Sequence, residues 1–244
     1  MPPVRSIFFD IGDTLVFDDP PLPVRVALAA QTLGVTLDPG RLPAAFQAGE
    51  RFAVARYVRG IPWDAPDTVR GALARIWQAL NLPPGGGDWQ ALIAAFVAVP
   101  RARYVHPDAL KLLADLKAQG FILGAISDWE TTLPDLLREL GIAPYLDALA
   151  VSATVGVTKP DARLFGEALR QADTLAETAL HVGDWYELDV LGARSAGMQT
   201  LLFDHAGRRA KSDCPRVTTF GALAACLRGL KAPQPPILGG PKKD

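Results

Sequence analysis

The stretch 180–203 is LHVGDWYELDVLGARSAGMQTLLF. Its pattern predicts a strand, then a helix, then a second strand. Its apolar beginning, residues 180–182, ends at Gly183, a helix is predicted from about Val190, and residues 200–203 form a second apolar strand. Strands that alternate with helices in this way lie parallel in one sheet. The stretch therefore predicts a βαβ unit and an α/β fold.

The same alternation continues toward the N-terminus. Further apolar strands are predicted at 6–9, 121–126 and 146–151, with helices from about Pro107 to Gly120, over 133–140 and after Pro160. Together these elements predict a doubly wound parallel sheet of the Rossmann-like type, flanked by helices.

Residues 17–105 differ in character from the rest of the chain. They are rich in alanine and consist of helix-length segments separated by proline and glycine, as at 83–87, PPGGG. This segment predicts an all-helical domain, 17–105, inserted into a core domain formed by 1–16 and 106–231. The tail 232–244, with four prolines and two glycines, is expected to be disordered.

The composition argues against several functional classes. Of 244 residues, 25 are Lys or Arg and 26 are Asp or Glu, so the formal net charge is −1 and no nucleic-acid partner is expected. No apolar stretch approaches the roughly 20 residues needed to cross a bilayer, so no membrane partner is expected. The two cysteines, Cys214 and Cys226, are too few and too far apart for a zinc cluster or a redox pair. No signal peptide is recognised and reduced thiols are expected, so the protein is expected to be cytoplasmic. A monomer or a weak homodimer is expected.

Polar side chains follow the predicted strands at the points where the strands end. Asp10, Ser127 and Asp184 come directly after apolar strands, and Lys159 precedes Pro160 at the start of a helix. Each residue alone is explained as a helix cap, a turn residue or a surface charge. Because open parallel sheets bind ligands at the carboxyl ends of their strands, the four residues together predict one functional site.

The order of the polar motifs is the most specific feature of the chain. It runs Asp10-Ile11-Gly12-Asp13-Thr14, then Ser127, then Gly156-Val157-Thr158-Lys159-Pro160, then Gly183-Asp184 followed by Asp189. Over residues 6–14 and about 108–203, this order resembles the haloacid dehalogenase-like (HAD) superfamily of hydrolases. The helical insertion after the first motif resembles the type 1 cap of HAD subfamily I. The resemblance implies a HAD core with a helical cap, and a magnesium-dependent phosphatase, as most of that family are.

The resemblance assigns the metal site and the nucleophile. It implies that Asp10 attacks phosphorus to form an aspartyl-phosphate and also contacts Mg²⁺. The backbone carbonyl of Gly12 and the carboxylate of Asp184 are implied as further metal ligands, and Asp189 as a residue that holds the metal shell or a water in it. This set agrees with the preference of Mg²⁺ for a few carboxylate, carbonyl and water oxygens.

The resemblance also assigns the groups that bind the phosphoryl oxygens. Ser127 and the neighbouring backbone at Asp128 are implied to bind phosphate, Lys159 to neutralise charge between phosphate and Asp10, and Thr14 to orient the first loop. A carboxylate nucleophile needs such cations and donors, because the phosphate monoester it approaches is itself doubly anionic. The expected substrate is therefore a small phosphorylated molecule.

Gly12 departs from the pattern of the family's phosphatases, which usually carry a second aspartate there to protonate the leaving oxygen. Asp13 is the candidate replacement, although successive residues of an extended loop tend to point to opposite sides. General acid–base assistance contributes about 10²–10⁴-fold, so the sequence predicts a slow phosphatase that favours good leaving groups.

Other functions within the superfamily are weighed against this one. The alternative is a catalytically silent member that binds a phosphorylated ligand or a partner protein. A 2-haloacid dehalogenase ranks lower, because the family's dehalogenases lack an acidic residue at the position of Asp184. The usual phosphonatase mechanism is excluded, because it needs a cap lysine and no lysine precedes Lys111.

The helical insertion supplies the candidates for substrate contact beyond the phosphate. Arg56, Tyr57 and Arg59 lie near the predicted end of one cap helix. Between residues 17 and 105 there are nine arginines and seven acidic residues, a mildly basic balance that suits an anionic substrate. An ordinary solvated helix surface explains the same balance equally well.

Overall fold

The computed structural model describes residues 2–38, 40–63, 65–81, 89–209 and 212–231. The predicted disorder of the tail 232–244 lies outside these residues. Within the described ranges, no helix is both long enough and apolar enough to span a membrane.

A parallel sheet forms the centre of the core, with six strands in the described part of the chain. In spatial order they are β5 (Ala148–Val151), β4 (Ile122–Ser127), β1 (Ser6–Phe9), β6 (Ala179–Gly183), β7 (Gln199–Phe203) and β8 (Arg216–Val217). Every neighbouring pair in this order is parallel. The predicted parallel α/β fold is confirmed, with β8 as an edge strand that the sequence analysis did not predict.

Helices cover both faces of this sheet. One face carries α5 (Ala109–Ala118), α6 (Leu133–Glu139) and α10 (Phe220–Arg228), and the other carries α8 (Ala162–Gln171) and α9 (Leu191–Ser195); a short helix, α7 (Ser152–Val155), follows β5. Successive side chains of β1 point to opposite faces of the sheet, so Ile7 and Phe9 pack against the helices of the first face and Phe8 packs against those of the second. This double burial explains why β1 is a continuous apolar run rather than an alternating one.

The inserted segment contains α1 (Leu22–Thr32), α2 (Leu42–Tyr57), α3 (Pro66–Ala79) and α4 (Trp89–Ala98). A proline lies in the first helical positions of α1, α2 and α3, where its missing N–H has no intrahelical partner to lose. These helices bury an apolar cluster of their own, which includes Phe46, Ile76, Trp77 and Leu92. We refer to this helical part as the cap.

The two ends of the cap form a pair of strands that the sequence analysis did not predict. Residues placed there in an all-helical segment instead form β2 (Val16–Asp19) and β3 (Ala102–Val105), which pair antiparallel with Phe17 opposite Tyr104. Strands of four residues are too short to show a period of two, and their pairing partner lies far away in sequence. The chain therefore enters and leaves the cap at one place, through a two-stranded ribbon.

The order of the strands determines where a ligand can bind. β1 lies between β4 and β6, so the chain extends the sheet first on one side of β1 and then on the other. Loops at the carboxyl ends of strands diverge at such a switch point and leave a crevice. The loops after β1, β4 and β6 all meet there.

Candidate active site

The loop after β1 brings two carboxylates to the carboxyl end of the central strand. The backbone N–H of Asp10 donates to the carbonyl oxygen of Val182 at 2.8 Å, which continues the pairing of β1 with β6. The chain then turns tightly, because the N–H of Leu15 donates back to the carbonyl of Ile11 at 3.1 Å. Asp13 sits in this turn with a φ of +53°, a left-handed conformation that aspartate tolerates. Both Asp10 and Asp13 thus lie at the predicted edge.

Lys159 joins this loop to the loop after β6. Its Nζ lies 2.6 Å from Asp10 Oδ1 and 2.6 Å from Asp189 Oδ1, and all three side chains are buried. Asp189 accepts two further hydrogen bonds, from His181 Nε2 at 2.9 Å and from the backbone N–H of Trp185 at 2.9 Å. The ammonium is therefore held between two carboxylates, one of which is fixed by its own donors.

Burial and pairing shift the pKa values of these groups in different directions. Burial raises the pKa of Asp10 to about 7, although Lys159 opposes the shift. Burial alone would lower the pKa of Lys159, but the carboxylates of Asp10 and Asp189 raise it well above the ordinary lysine value. Burial alone would likewise raise the pKa of Asp189, but Lys159 and His181 hold it far below the ordinary range. Lys159 is thus a permanent cation beside Asp10.

A second acidic group lies at the end of β6. Asp184 is buried, and its carboxylate has ligand atoms of Asp13 and His205 within 4.8 Å. Burial raises the pKa of Asp184 well above its ordinary value, against the opposing charge of Arg208 and with support from the carboxylates of Asp10 and Asp189. Carboxylates crowded in this way are stabilised by a cation among them. Asp13, Asp184 and His205 form a group that could hold a metal ion.

Arg208 is a site residue that the sequence analysis missed. Its Nη1 lies 2.7 Å from Asp184 Oδ2, its Nε lies 3.3 Å from Glu50 Oε2 on the cap helix α2, and its guanidinium stacks on Trp185. Its backbone N–H donates to Asp204 Oδ1 at 2.7 Å. Arg208 therefore links the core carboxylates to the cap.

A signal for this part of the site was present in the sequence. Asp204 directly follows the apolar strand β7, just as Asp10 follows β1 and Asp184 follows β6. Asp204 is buried and accepts from the backbone N–H groups of Arg208 and Arg209. The rule that selected the other two aspartates would have selected this one, and with it the loop that carries Arg208.

Two predicted phosphate-binding residues lie at the carboxyl end of β4. Ser127 is buried at the end of that strand. Asp128 accepts from the backbone N–H of Lys159 at 2.9 Å and from the hydroxyl of Tyr57 at 2.9 Å, and burial raises its pKa. Both oxygens of Asp128 are thus engaged by protein donors. Tyr57 is the predicted cap residue that the structure brings to the site.

The other two cap candidates do not reach the core carboxylates. Arg56 donates from Nε to Thr68 Oγ1 at 2.8 Å, within the cap, and Arg59 is exposed just beyond the end of α2. Arg56 and Tyr57 are consecutive positions of α2 and therefore face different directions, and Arg59 lies beyond the end of this helix. Thr14, predicted to orient the first loop, is buried, and its hydroxyl has no hydrogen-bond partner within the described residues.

Comparison with known protein families identifies the family of this chain. A family model described as haloacid dehalogenase-like hydrolase matches residues 4–197. The chain belongs to the haloacid dehalogenase-like hydrolase family. The similarity covers all the motifs that the sequence analysis singled out.

Named relatives of this HAD-like hydrolase include two phosphatases. The glyceraldehyde 3-phosphate phosphatase of Methanothermobacter thermautotrophicus is 31% identical over 219 residues, which cover 86% of this chain and 90% of that protein. The ribulose-1,5-bisphosphate 5-phosphatase of Halopiger xanaduensis is 29% identical over 210 residues, which cover 82% of this chain and 84% of that protein. The human haloacid dehalogenase-like hydrolase domain-containing protein 3 is 29% identical, over 82% of this chain and 81% of that protein.

Solved structures share the fold of this HAD-like hydrolase. The HAD-hydrolase YfnB of Bacillus subtilis aligns with a TM-score of 0.64 at 19% identity, over 92% of this chain and 99% of that one. The HAD phosphatase of Thermococcus onnurineus aligns with a TM-score of 0.59 at 20% identity, and the alignment covers 94% of this chain and 100% of that one. The similarity extends over core and cap together.

Replacement of Lys159 tests the buried charge cluster of the HAD-like hydrolase. Lys159→Met is expected to destabilise the metal-free protein by about 3–5 kcal/mol, because it leaves Asp10 and Asp189 buried without their cation. Lys117→Met is the matched control, since Lys117 pairs with Asp147 at 2.7 Å where both side chains are more than a third exposed. That change is expected to cost less than about 1 kcal/mol. Urea unfolding measures both, and equal losses would contradict the prediction.

Proposed function

We propose that this HAD-like hydrolase is a Mg²⁺-dependent phosphatase of small phosphorylated metabolites, acting in the cytoplasm through an aspartyl-phosphate on Asp10. The observation that carries the proposal is the position of Asp10, which lies against the permanently charged Lys159 in the crevice that also contains Asp184. Two relatives that span most of the chain are named as phosphatases of small sugar phosphates or related esters, which supports the substrate class.

The residues present fit a magnesium ion. Asp184 is buried at the end of β6, and the negative charges of Asp10 and Asp189 crowd its carboxylate, which a cation among them would relieve. Oxygen donors of this kind suit a hard cation. We assign Asp10, Asp184 and the carbonyl of Gly12 as the residues that hold the ion. When bound, Mg²⁺ offsets the negative charge of the phosphoryl group.

Asp189 is proposed as a positioning residue rather than as a direct metal ligand. Its two oxygens accept hydrogen bonds from Lys159, His181 and the backbone of Trp185. These contacts fix the direction from which Lys159 approaches Asp10. In the same way, Asp128 holds the backbone at Lys159 and the hydroxyl of Tyr57, so it orients the phosphate-binding loop.

The chain's own groups account for both halves of the reaction. A carboxylate oxygen of Asp10 forms a bond to phosphorus while the bond from phosphorus to the leaving oxygen breaks. Lys159 and the hydroxyl of Ser127 bind the phosphoryl oxygens and stabilise the negative charge that they carry. Water then attacks phosphorus and gives a proton to Asp13, while the bond from phosphorus to the Asp10 oxygen breaks, which releases phosphate and regenerates the Asp10 carboxylate.

Proton transfer to the leaving oxygen is assigned to Asp13, which we expect to perform it less efficiently than an aspartate at position 12 would. Gly12 has no side chain, and Asp13 lies beside Asp184 at the same end of the sheet. The Asp13 side chain is exposed to solvent, so it can exchange protons with water between turnovers. This position makes a slow phosphatase more consistent with the site than a silent binding protein.

Removal of the metal or of its carboxylate tests the function. EDTA and Asp184→Asn are each expected to lower the hydrolysis of acetyl phosphate by at least about 10²-fold, because charge at the phosphoryl group is no longer neutralised. Mg²⁺ is expected to raise the Tm of the wild type and not that of Asp184→Asn. Asp173→Asn, at an exposed position, serves as the control and is expected to match the wild type.

The outcomes of this experiment separate the candidate functions. Turnover that persists in EDTA at the wild-type rate would contradict the proposal. A Mg²⁺-dependent rise in Tm without turnover of any phosphate ester would instead favour the silent, ligand-binding alternative.

A further inference from the structure

The cap contains a cavity of about 490 Å³ between its helices, which we call the cap cavity. Phe46, Trp63, Ile76, Leu92 and Phe96 are among the side chains that line it. The cap cavity opens to solvent, where Leu22, Ile93 and Val97 are exposed, and its volume falls in the range of ligand-binding pockets, about 300–1,000 Å³. The cap cavity is therefore large enough to hold a ligand group.

The cap cavity is not a sign that the cap helices are loosely packed. At Gly49 on α2, an added Cβ would lie 2.7 Å from Ile76 Cγ1 and 2.9 Å from the carbonyl oxygen of Ala72 on α3. The two helices thus approach as closely as a glycine allows. The open volume lies beside a tightly packed helix pair.

The lining of the cap cavity offers almost no hydrogen bonds to a ligand. Glu50 and Thr68 are the polar side chains among the described residues that line it. Arg208 holds the carboxylate of Glu50, and Arg56 Nε donates to the Thr68 hydroxyl at 2.8 Å. A polar ligand group that entered would lose its contacts with water and gain few in return, whereas an apolar group would gain by leaving water.

The cap cavity adjoins a cleft between the cap and the core, with which it shares five lining residues. This wider cleft, of about 960 Å³, is lined on the core side by Asp13, His205 and Arg208. On the cap side, this cleft shares Leu22, Phe46, Glu50, Phe96 and Val97 with the cap cavity. A molecule that lies along the cleft can therefore place one end at Asp13 and the other among the apolar side chains of the cap.

An aromatic contact also joins the two places. Trp63 lines the cap cavity, and the centroid of its ring lies 6.1 Å from the ring centroid of Trp185. Trp185 directly follows Asp184, and its backbone N–H holds Asp189 at 2.9 Å. The wall of the cap cavity thus rests on the loop that carries the acidic residues.

We propose that the cap cavity binds the leaving group of the substrate, and that this phosphatase acts on phosphate esters and anhydrides whose leaving group carries an unbranched hydrocarbon chain or another extended apolar portion. This inference rests on the proposed phosphatase function. The phosphoryl end lies at Asp10 and Lys159, and the apolar end extends past Asp13 into the cap.

A series of acyl phosphates tests the inference. Acetyl, butyryl, hexanoyl and octanoyl phosphate have leaving carboxylates of nearly equal basicity, so the chemical step stays constant while the apolar length grows. Each buried CH₂ group is expected to raise kcat/KM by about two- to fourfold until the cap cavity is filled. The measurement is kcat/KM with Mg²⁺ for each member of the series.

Two alanines on α3 provide a matched pair of variants. Ala72 lines the cap cavity, whereas Ala74 is exposed on the same helix. Ala72→Phe is expected to reduce the ratio of octanoyl to acetyl phosphate kcat/KM at least about tenfold by filling the volume. Ala74→Phe is expected to keep the wild-type ratio. Where Ala72→Phe fails to fold, Ala53→Leu, at another lining position on α2, replaces it.

The possible results distinguish this inference from the function on which it rests. A series that stays flat or falls with chain length in the wild type overturns the inference and leaves the phosphatase function standing. An equal drop in the ratio for Ala72→Phe and Ala74→Phe also overturns it. Absence of hydrolysis for acetyl phosphate and for every longer member counts against the phosphatase function itself.

Discussion

Asp10→Asn is expected to lower the hydrolysis of acetyl phosphate at least about 10³-fold, because the amide lacks the carboxylate oxygen that attacks phosphorus. The fold is expected to persist. Lys159 keeps its contact with Asp189 at 2.6 Å, and the side-chain carbonyl of asparagine can still accept from Lys159. Initial rates in Mg²⁺ measure the effect, and the urea unfolding midpoint confirms that the variant is folded.

A control variant and a direct measurement support this experiment. Asp173→Asn changes an exposed residue with a φ of +45°, a conformation that asparagine also adopts readily, so it should retain the wild-type rate. Mass spectrometry of acid-quenched wild type should detect phosphate on the peptide that contains Asp10. A full rate in Asp10→Asn would rule out this residue as the nucleophile.

Gly12→Asp is expected to raise kcat at least about tenfold on alkyl phosphates and less on aryl phosphates. The new carboxyl group can protonate the leaving oxygen, and an alkoxide needs this help more than a phenolate does. The position accepts a side chain, because Gly12 does not have a positive φ and an added Cβ would lie 3.5 Å from Trp129 Cζ3, an ordinary contact. Rates on paired alkyl and aryl substrates measure the difference between the two classes.

Asp13→Asn identifies the group that now carries the proton. If the wild type and Gly12→Asp have equal rates on both substrate classes, and Asp13→Asn removes the activity, then Asp13 performs the transfer as efficiently as an aspartate at position 12. If Asp13→Asn leaves a near-zero baseline unchanged, turnover is not the task of this protein. Recovery of activity in the double variant Gly12→Asp, Asp13→Asn would show that either position can serve.

The sequence predicted the parts of the fold whose signal is local. β1 and β4 are buried on both faces, so each is a continuous apolar run that ends at a polar residue. β6 has the same pattern apart from the buried His181. The proximity of Asp10 and Lys159 was also predicted, because polar residues at the carboxyl ends of parallel strands meet at one edge of the sheet. The place of Asp189 beside them was implied by the family resemblance. The roles of these residues in catalysis remain predictions for the experiments above.

Features that depend on pairing across long sequence separations could not be predicted in this way. Arg208 and Glu50 are 158 residues apart, and neither lies in a pattern that points to the other. The strand β8 has two residues and takes its shape from its neighbour β7. The orientation of Tyr57 toward Asp128, rather than that of Arg56 or Arg59, depends on how the cap rests on the core.

The ribbon of β2 and β3 lowers the loss of chain entropy that accompanies the pairing of β1 with β4. Phe9 of β1 pairs with Ala125 of β4, and the whole cap lies between them in the chain. The entropic cost of closing a loop rises only with the logarithm of its length, about 0.6 kcal/mol for each doubling. Because Val16 pairs with Val105, the ribbon closes the cap upon itself, and the sheet is joined by a short effective connection. Exchange of this cap for a longer or shorter one at the ribbon should therefore leave the pairing of β1 with β4 almost unchanged.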